Sequence, residues 1–294
     1  MGEKFLIINA DDFGMCHAEN MATIDLFEKG GISSATVMTP CSWAVEAMKW
    51  VRQNPQFSVG VHLTLTSEWG GYRWGPVGRE GTESLRDDLG YMYDENEYFE
   101  ENCDIDEVEK EIYAQVGRFR SFGVEPTHLD NHMGGLYGLH GNNELMPKTF
   151  EICGKLGLPF RLFKYIDMKN LPGEFPKGIS MEFAQKMVDS LTAAAAENGV
   201  KLIDYMIFPK WNEETESDYS VYREAMLDCL SNIREGMVTE TFIHPAFECD
   251  ELKAITARWK TRVWEHKLFA DPATRQHLEA HGVKYINYLD LVKM

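Results

Sequence analysis

The sequence predicts an α/β fold, a (β/α) barrel of seven or eight strands. Three observations favour it. Short apolar runs alternate with segments of helical period, no glycine-rich dinucleotide turn follows the first strand, and polar side chains follow several strands. A doubly wound open sheet is the second choice. Because no linker of shifted composition interrupts the 294 residues, we expect one catalytic domain, residues 1–294.

The first strand is the apolar run 5–8, which leads into Asn9-Ala10-Asp11-Asp12-Phe13-Gly14. Further β-branched and aromatic runs predict strands at 32–40, 57–66, 127–133, 158–163, 202–208, 238–245 and 285–291. Apolar residues at helical spacing predict helices at 17–29, 42–53, 104–122, 143–156, 181–198, 219–233 and 258–280. A Pro/Gly-rich connection is expected at 172–178.

One segment, from 67 to about 103, breaks this alternation. It has no long period and is rich in glycine, acids and aromatic residues, among them Trp69, Tyr72 and Trp74. Disordered segments are poor in aromatic residues, so we predict a lid-like insertion. Its tryptophans are candidates either to stack on a sugar or to pack the lid.

The composition excludes several classes of partner. A formal net charge of −18 argues against nucleic acid and anionic membranes, because both bind basic surfaces. The apolar run after Lys4 is too short for a signal peptide, and no run has the length of a membrane span. Six cysteines without a Cys-x-x-Cys pair favour reduced thiols. We therefore expect a cytoplasmic protein.

Asp11 and Asp12 are adjacent carboxylates at the end of the first strand. The C-terminal ends of barrel strands are where catalytic groups gather. One aspartate could cap the following helix, but a helix start needs only one cap. Two adjacent like charges repel unless a cation or a proton intervenes, so the pair indicates a functional site.

Four histidines lie on or just beyond the third, fourth and seventh predicted strands: His62, His128, His132 and His244. A lone strand histidine is more often a hydrogen-bonded core residue than a ligand. Several buried imidazoles among carboxylates are costly, however, unless a cation or partner neutralises them. His128, Asp130 and His132 alternate and should share one face. One aspartate with two histidines would leave room for water, as in catalytic metal sites.

Four motifs in this order resemble the YdjC-like carbohydrate deacetylases, which include the chitooligosaccharide deacetylases. They are Asn9-Ala10-Asp11-Asp12-Phe13-Gly14, Gly60-Val61-His62-Leu63-Thr64, Thr127-His128-Leu129-Asp130-Asn131-His132 and His244-Pro245. The resemblance implies a distorted (β/α) TIM-like barrel, a homodimer and one divalent metal ion. It also implies hydrolysis of an N-acetyl group from a small acetylated oligosaccharide, with or without a phosphate.

Carried over by position, the resemblance makes Asp12, His62 and His128 the metal ligands. It makes Asp11 the catalytic base and His244 the general acid, which protonates the leaving amine.

Four more residues are candidates to position these groups or to bind substrate: Asp130, His132, Trp69 and Trp74. Asp130 would orient His128 or His244.

The identity of the metal follows two lines of reasoning. Two imidazole ligands favour Zn²⁺ or another transition metal, because Mg²⁺ prefers oxygen ligands. The family resemblance implies Mg²⁺. The last predicted helix begins with three basic residues, Arg258, Lys260 and Arg262. They predict a solvated basic helix face, and the alternative is a binding site for a sugar phosphate.

Two other functions remain open on the sequence. A glycosidase acting on a phosphorylated disaccharide needs two carboxyl groups across the scissile bond, for which Asp11 and Asp130 are the candidate pair. A non-catalytic metal- or sugar-binding protein would use the same ligands, but Asp11 and His244 could then be replaced without loss of binding.

Overall fold

Seven parallel strands and eleven helices alternate in the part of the chain that the computed structural model describes, residues 2–167, 180–209 and 215–294. The strands are β1 Lys4–Phe13, β2 Ser34–Val37, β3 Ser58–Leu63, β4 Leu129–Asn131, β5 Tyr205–Met206, β6 Val238–Ile243 and β7 Val283–Tyr285. The helices are α1 His17–Lys29, α2 Ala44–Gln53, α3 Asn96–Asn102, α4 Ile105–Arg120, α5 Leu145–Leu156, α6 Met181–Glu197, α7 Tyr219–Ser231, α8 Asp250–Ile255, α9 Trp259–Ala270, α10 Pro272–Ala280 and α11 Tyr288–Leu291.

The strands form a distorted (β/α) barrel, as the sequence predicts. Their order is β4-β3-β2-β1-β6-β5, and β7 pairs with the first residues of β1. Two isolated parallel bridges, Leu129 with Phe160 and Phe163 with Ile203, join β4 to the chain that enters β5. The predicted strand 158–163 therefore closes the barrel, although it forms only these single bridges.

Side chains alternate between two environments along β1. Leu6, Ile8 and Ala10 belong to the main apolar core under the helices. Asn9 and Asp11 are also buried, but their side chains bond to each other and to neighbouring strands. This period of two places apolar residues outside and polar residues inside the barrel. The barrel interior is therefore polar at the height of the site.

Most predicted helices form at their predicted places, because their end signals are local. Helix α1 ends before Gly30, whose φ of 69° is the left-handed conformation favoured by glycine. The predicted strand at 285–291 is wrong: β7 ends at Tyr285, and a capping box between Asn287 and Asp290 starts α11. The predicted connection at 172–178 lies outside the described residues. Among the described helices, none combines the length and apolarity that crossing a membrane requires.

Residues 67–103, which we call the lid segment, contain only α3 and one 3-10 turn as described helical structure. The segment is nevertheless well anchored. The Ser67 backbone N–H donates to the Tyr93 carbonyl at 2.7 Å, and Arg73 donates to the Met92 carbonyl at 2.6 Å. Trp74 is only 6% exposed. These contacts fix the start of the segment beside the C-terminal end of β3.

Candidate active site

The end of β1 is strained where it presents Asp12. Asp12 has a φ of 60°, which is rare for a residue other than glycine, and Gly14 follows with a φ of 98°. A Cβ atom on Gly14 would lie 3.0 Å from the Ala44 backbone, so the close approach of α2 also requires glycine. Such strain costs about 1–3 kcal/mol and concentrates at functional sites.

Three buried side chains from three strand ends converge on one point. The Asp12 Oδ1 atom lies 3.4 Å from His62 Nε2 and 3.2 Å from His132 Nδ1, and the two nitrogens are 3.3 Å apart. Asp12 Oδ1 makes no hydrogen bond within the described structure. Met133, the residue after His132, also has a positive φ of 54°. An orphaned carboxylate oxygen facing two imidazole nitrogens fits a divalent cation.

Asp130 orients His62 rather than His128 or His244, which the sequence analysis considered. Its Oδ1 accepts from His62 Nδ1 at 2.7 Å, and its Oδ2 accepts from the Thr36 hydroxyl at 2.8 Å. This arrangement directs His62 Nε2 toward Asp12. Burial alone would lower the pKa of His62, but Asp130 and Asp11 outweigh it and raise that pKa to about 9.

His128 lies apart from the convergence point. Its ring stacks on Tyr288 with centroids 3.7 Å apart, and its Nδ1 contacts the Thr127 hydroxyl at 2.9 Å. Gly60 makes room for it, because a Cβ there would lie 2.7 Å from His128 Nδ1. Burial lowers the pKa of His128 well below its ordinary value, so the ring is neutral. Of these two histidines, His132 and not His128 therefore lies beside Asp12 and His62.

Asp11 is held by a buried arginine that the sequence analysis did not single out. Arg161 Nη1 and Nη2 donate to the two carboxylate oxygens of Asp11, each at 2.7 Å. Arg161 also pairs with Asp130 at 2.6 Å and with Glu240 at 3.4 Å, and the Tyr288 hydroxyl donates to Glu240. One guanidinium therefore bonds carboxyl groups from three strands and neutralises Asp11 and Asp130, as burial of charge requires.

Arg262 reaches the other oxygen of Asp12. Its Nη1 lies 2.9 Å from Asp12 Oδ2 and also bonds the Glu19 carboxylate. Burial would raise the pKa of Asp12, but Arg262 and the nearby histidines hold it well below its ordinary value. The prediction of a solvated helix face is wrong for Arg262, because the residue is buried and packs over Trp69, 5.6 Å from the ring centroid.

His244 follows the last residue of β6 and lines the same cavity as Asp11 and Asp12. Its backbone N–H donates to Glu265 at 2.7 Å, which fixes the chain as it leaves the strand. Burial, reinforced by Arg262, lowers the pKa of His244 to about 4 despite the nearby aspartates. The imidazole is therefore neutral at pH 7 in this arrangement.

Two adjoining cavities surround these groups. One, of about 250 Å³, contains both aspartates, His62, His132 and His244; the other, of about 640 Å³, is lined by Trp69, Arg258 and Arg262 among others. Glu68, Met133, Phe242, His244 and Arg262 line both, so the two cavities share one wall. Half-buried Trp69 faces this space, whereas Trp74 is buried and packs against Trp69 and His132.

Three charged residues of the site, Glu68, Arg161 and Arg262, were missed or misread from the sequence. Arg161 interrupts the apolar run 158–163, and a charge inside a buried strand must have a partner. Glu68 follows the third strand just as Asp12 follows the first. The sequence therefore contains a signal for Arg161 and for Glu68. Arg262 gave no comparable signal, because its helix is polar on several sides.

Comparison with known proteins gives consistent matches. The family described as YdjC-like protein matches residues 5–280. A carbohydrate deacetylase of Thermoanaerobacter pseudethanolicus is 27% identical over 97% of this chain and 98% of that protein. A chitooligosaccharide deacetylase of Yersinia enterocolitica is 29% identical over 78% of this chain and 92% of that protein.

A solved structure from Enterococcus faecalis V583, described as a candidate cellobiose-phosphate cleavage protein, is similar over 98% of this chain and 99% of that one. The TM-score is 0.75 and the sequence identity 27%. The family match covers the four residues that meet at the site, Asp12, His62, His132 and His244, and both buried arginines. The chain belongs to the YdjC-like protein family.

Proposed function

We propose that this protein is a metal-dependent carbohydrate deacetylase, which hydrolyses the N-acetyl amide of a small acetylated oligosaccharide. The observation that carries this proposal is the convergence of Asp12, His62 and His132 in a cavity that Asp11 and His244 also line. The carbohydrate and chitooligosaccharide deacetylases among its relatives support the substrate class.

Asp12, His62 and His132 are the proposed ligands of one divalent ion. A second cluster, Asp11 with His62 and Asp130, is less suitable, because Arg161 already neutralises both of its carboxylates. Two imidazoles favour Zn²⁺ or another transition metal over Mg²⁺, which the family resemblance implies.

A bound divalent ion would polarise the acetyl carbonyl and make a water molecule more acidic. Asp11 accepts the proton of the attacking water, and the two bonds from Arg161 hold its carboxylate in one orientation. His244 donates a proton to the leaving amine nitrogen, so that the C–N bond can break. Since His244 is neutral at pH 7, the proton that it donates is the one removed from the attacking water, which passes from Asp11 to His244 before the C–N bond breaks.

The cavity of about 640 Å³ is the proposed sugar site, since its volume suits a small ligand. Trp69 provides an aromatic face for a sugar ring. Arg258, which lines the cavity and pairs with Glu216 at 2.5 Å, is the proposed contact for a phosphate on the sugar.

The glycosidase alternative is disfavoured by the positions of its two carboxylates. Asp11 and Asp130 bind the same Arg161 nitrogen, at 2.7 and 2.6 Å. Asp130 is fully buried, so the pair cannot lie on opposite sides of a glycosidic bond. A non-catalytic binding protein would not need Asp11 or His244 beside the ligands.

The proposal extends to the molecule as a whole. Strands of one sheet come from both ends of the described chain, which supports a single catalytic domain over residues 1–294, with 67–103 as its lid-like insertion. All six cysteines are free thiols, which supports a reducing compartment such as the cytoplasm. A homodimer is proposed from the family resemblance, and light scattering after gel filtration tests it.

The test of function is acetate release from N,N'-diacetylchitobiose and from its 6-phosphate. Metal-stripped protein is supplied with Zn²⁺, Mg²⁺, Mn²⁺ or no ion. We expect acetate only when an ion is supplied, and comparison of the two substrates measures the effect of the phosphate. Reducing sugar without acetate would support the glycosidase instead. Metal binding with neither product would support a non-catalytic protein.

A further inference from the structure

Glu68, at the start of the lid segment, contacts the side of His132 that faces away from Asp12. Its carboxylate oxygens lie 2.9 and 3.1 Å from His132 Nε2, so the ring N–H donates to Glu68. His132 Nδ1, on the opposite side of the ring, points toward Asp12 and His62. Glu68 thereby holds the tautomer whose free lone pair faces the metal position.

Buried hydrogen bonds fix the chain that leads into Glu68. Gln115 accepts from the Thr64 backbone N–H at 2.9 Å and donates to the Thr64 carbonyl at 2.6 Å. The Trp74 indole N–H donates to the Thr66 carbonyl at 3.0 Å, and the Trp74 backbone N–H donates to the Ser67 hydroxyl at 3.0 Å. The backbone from Thr64 to Ser67, directly before Glu68, is therefore held in place.

Two tryptophans of the same segment confine the His132 ring. The centroids of Trp69 and Trp74 each lie 6.1 Å from that of His132, with interplanar angles of 62° and 66°. Their packing limits rotation of the imidazole, while Glu68 fixes its hydrogen-bonding edge. Three side chains of the lid segment thus determine the orientation of one proposed metal ligand.

We propose that Glu68 is a positioning residue for His132 and that the start of the lid segment is an integral part of the metal centre. This inference rests on the proposed function, because it takes His132 as a ligand. Glu68 then serves His132 as Asp130 serves His62, from the ring nitrogen that does not face the metal. Removing a carboxylate in this arrangement typically weakens metal binding about 10- to 100-fold.

The test compares Zn²⁺ affinity of the full-length protein with that of Glu68→Ala and Glu68→Gln, by competition with a chelator. We expect Glu68→Ala to bind Zn²⁺ about 10- to 100-fold more weakly, and Glu68→Gln to lose less because its amide oxygen still accepts a hydrogen bond. Co²⁺-loaded protein should show a visible absorption spectrum that differs between wild type and Glu68→Ala. Glu83→Gln, an exposed carboxylate of the lid segment paired with Arg86, is the control and should match wild type.

The outcomes separate the inference from the function on which it depends. If wild type binds Zn²⁺ and both Glu68 variants match it in affinity and cobalt spectrum, Glu68 has no positioning role and the inference is wrong. If wild type and all variants bind no metal, the proposed function fails and the inference fails with it. Thermal melting of the metal-free proteins identifies any variant that does not fold. If Glu68→Ala does not fold, the Zn²⁺ affinity of Glu68→Gln tests the inference.

Discussion

Asp11 and Arg161 are joined by two parallel hydrogen bonds of 2.7 Å across the barrel interior, between β1 and the chain that closes the barrel. The same guanidinium bonds Asp130, whose other oxygen holds His62. The proposed base and a proposed ligand therefore share one buried cation. Changes at Arg161 should affect both stability and catalysis.

Arg161→Gln should lower the free energy of unfolding by about 3–5 kcal/mol, because it leaves buried carboxylates without their cation. Arg161→Lys retains the charge, so it should unfold at a higher urea concentration than Arg161→Gln. Because lysine cannot form two parallel hydrogen bonds to Asp11, the kcat of Arg161→Lys should be at least about tenfold lower than that of wild type. Urea unfolding and acetate release measure the two effects. Arg86→Gln removes an exposed ion pair with Glu83 and should cost less than about 1 kcal/mol. Equal midpoints for wild type and Arg161→Gln would contradict this account.

His132→Ala should abolish tight metal binding, whereas His128→Ala should retain it. Of these two histidines, only His132 has a ring nitrogen beside both Asp12 and His62. His128→Ala instead removes a ring packed on Tyr288 and should cost about 2–4 kcal/mol of stability. Metal content after dialysis, with chelator competition, distinguishes the two variants. Loss of metal from His128→Ala alone would restore the ligand set that the resemblance implies.

Asp11→Asn should bind metal nearly as wild type does but lose turnover, because the amide cannot accept the water proton. His62→Ala should lose both metal and turnover. Glu240→Gln is a matched control on the same guanidinium: burial raises the pKa of Glu240 to about 8, so its carboxyl is largely neutral at pH 7. Its kcat should fall far less than that of Asp11→Asn. Full activity in Asp11→Asn would show that Asp11 is not the base.

Metal-free protein should lose stability as the pH rises from about 6.5 through 9 and toward 10. Burial lowers the pKa values of His62 and His132, but the surrounding carboxylates raise them to about 9 and about 10 in the folded state. Between the ordinary histidine value and these values, the folded protein binds more protons than the unfolded chain, so unfolding is favoured as pH rises. Melting curves from pH 6 to 10 in chelator measure this. Saturating Zn²⁺ should flatten the dependence, since metal replaces the protons. Stability that rises with pH in chelator would be inconsistent with protonated rings at the site.

The sequence was sufficient for the barrel and for most of the residues that meet at its mouth. Periodicity and local end signals located α1, and the carboxyl-end rule for parallel strands brought Asp12, His62 and His244 together. The choice between His128 and His132 depends on height along the strand. Alternation fixes only the face, and four extended residues span about 13 Å.

The positions of long charged side chains could not be predicted in the same way. Arg161 and Arg262 reach their partners across 150 and 250 residues of sequence. Local patterns carry no information on such distant pairs. Only the burial of a charge within an apolar strand could have indicated that Arg161 has partners, and it would not have identified them.

The barrel is closed between β4 and β5 by a narrow seam, which consists of two single bridges and the few backbone hydrogen bonds around them. Arg161 lies between these bridges, and its ion pairs cross to β1, β4 and β6. The cation that orients the proposed base therefore reinforces this seam beside its backbone hydrogen bonds. Any transient parting of that seam would release Asp11 and Asp130 together, so an opened barrel would be an inactive one.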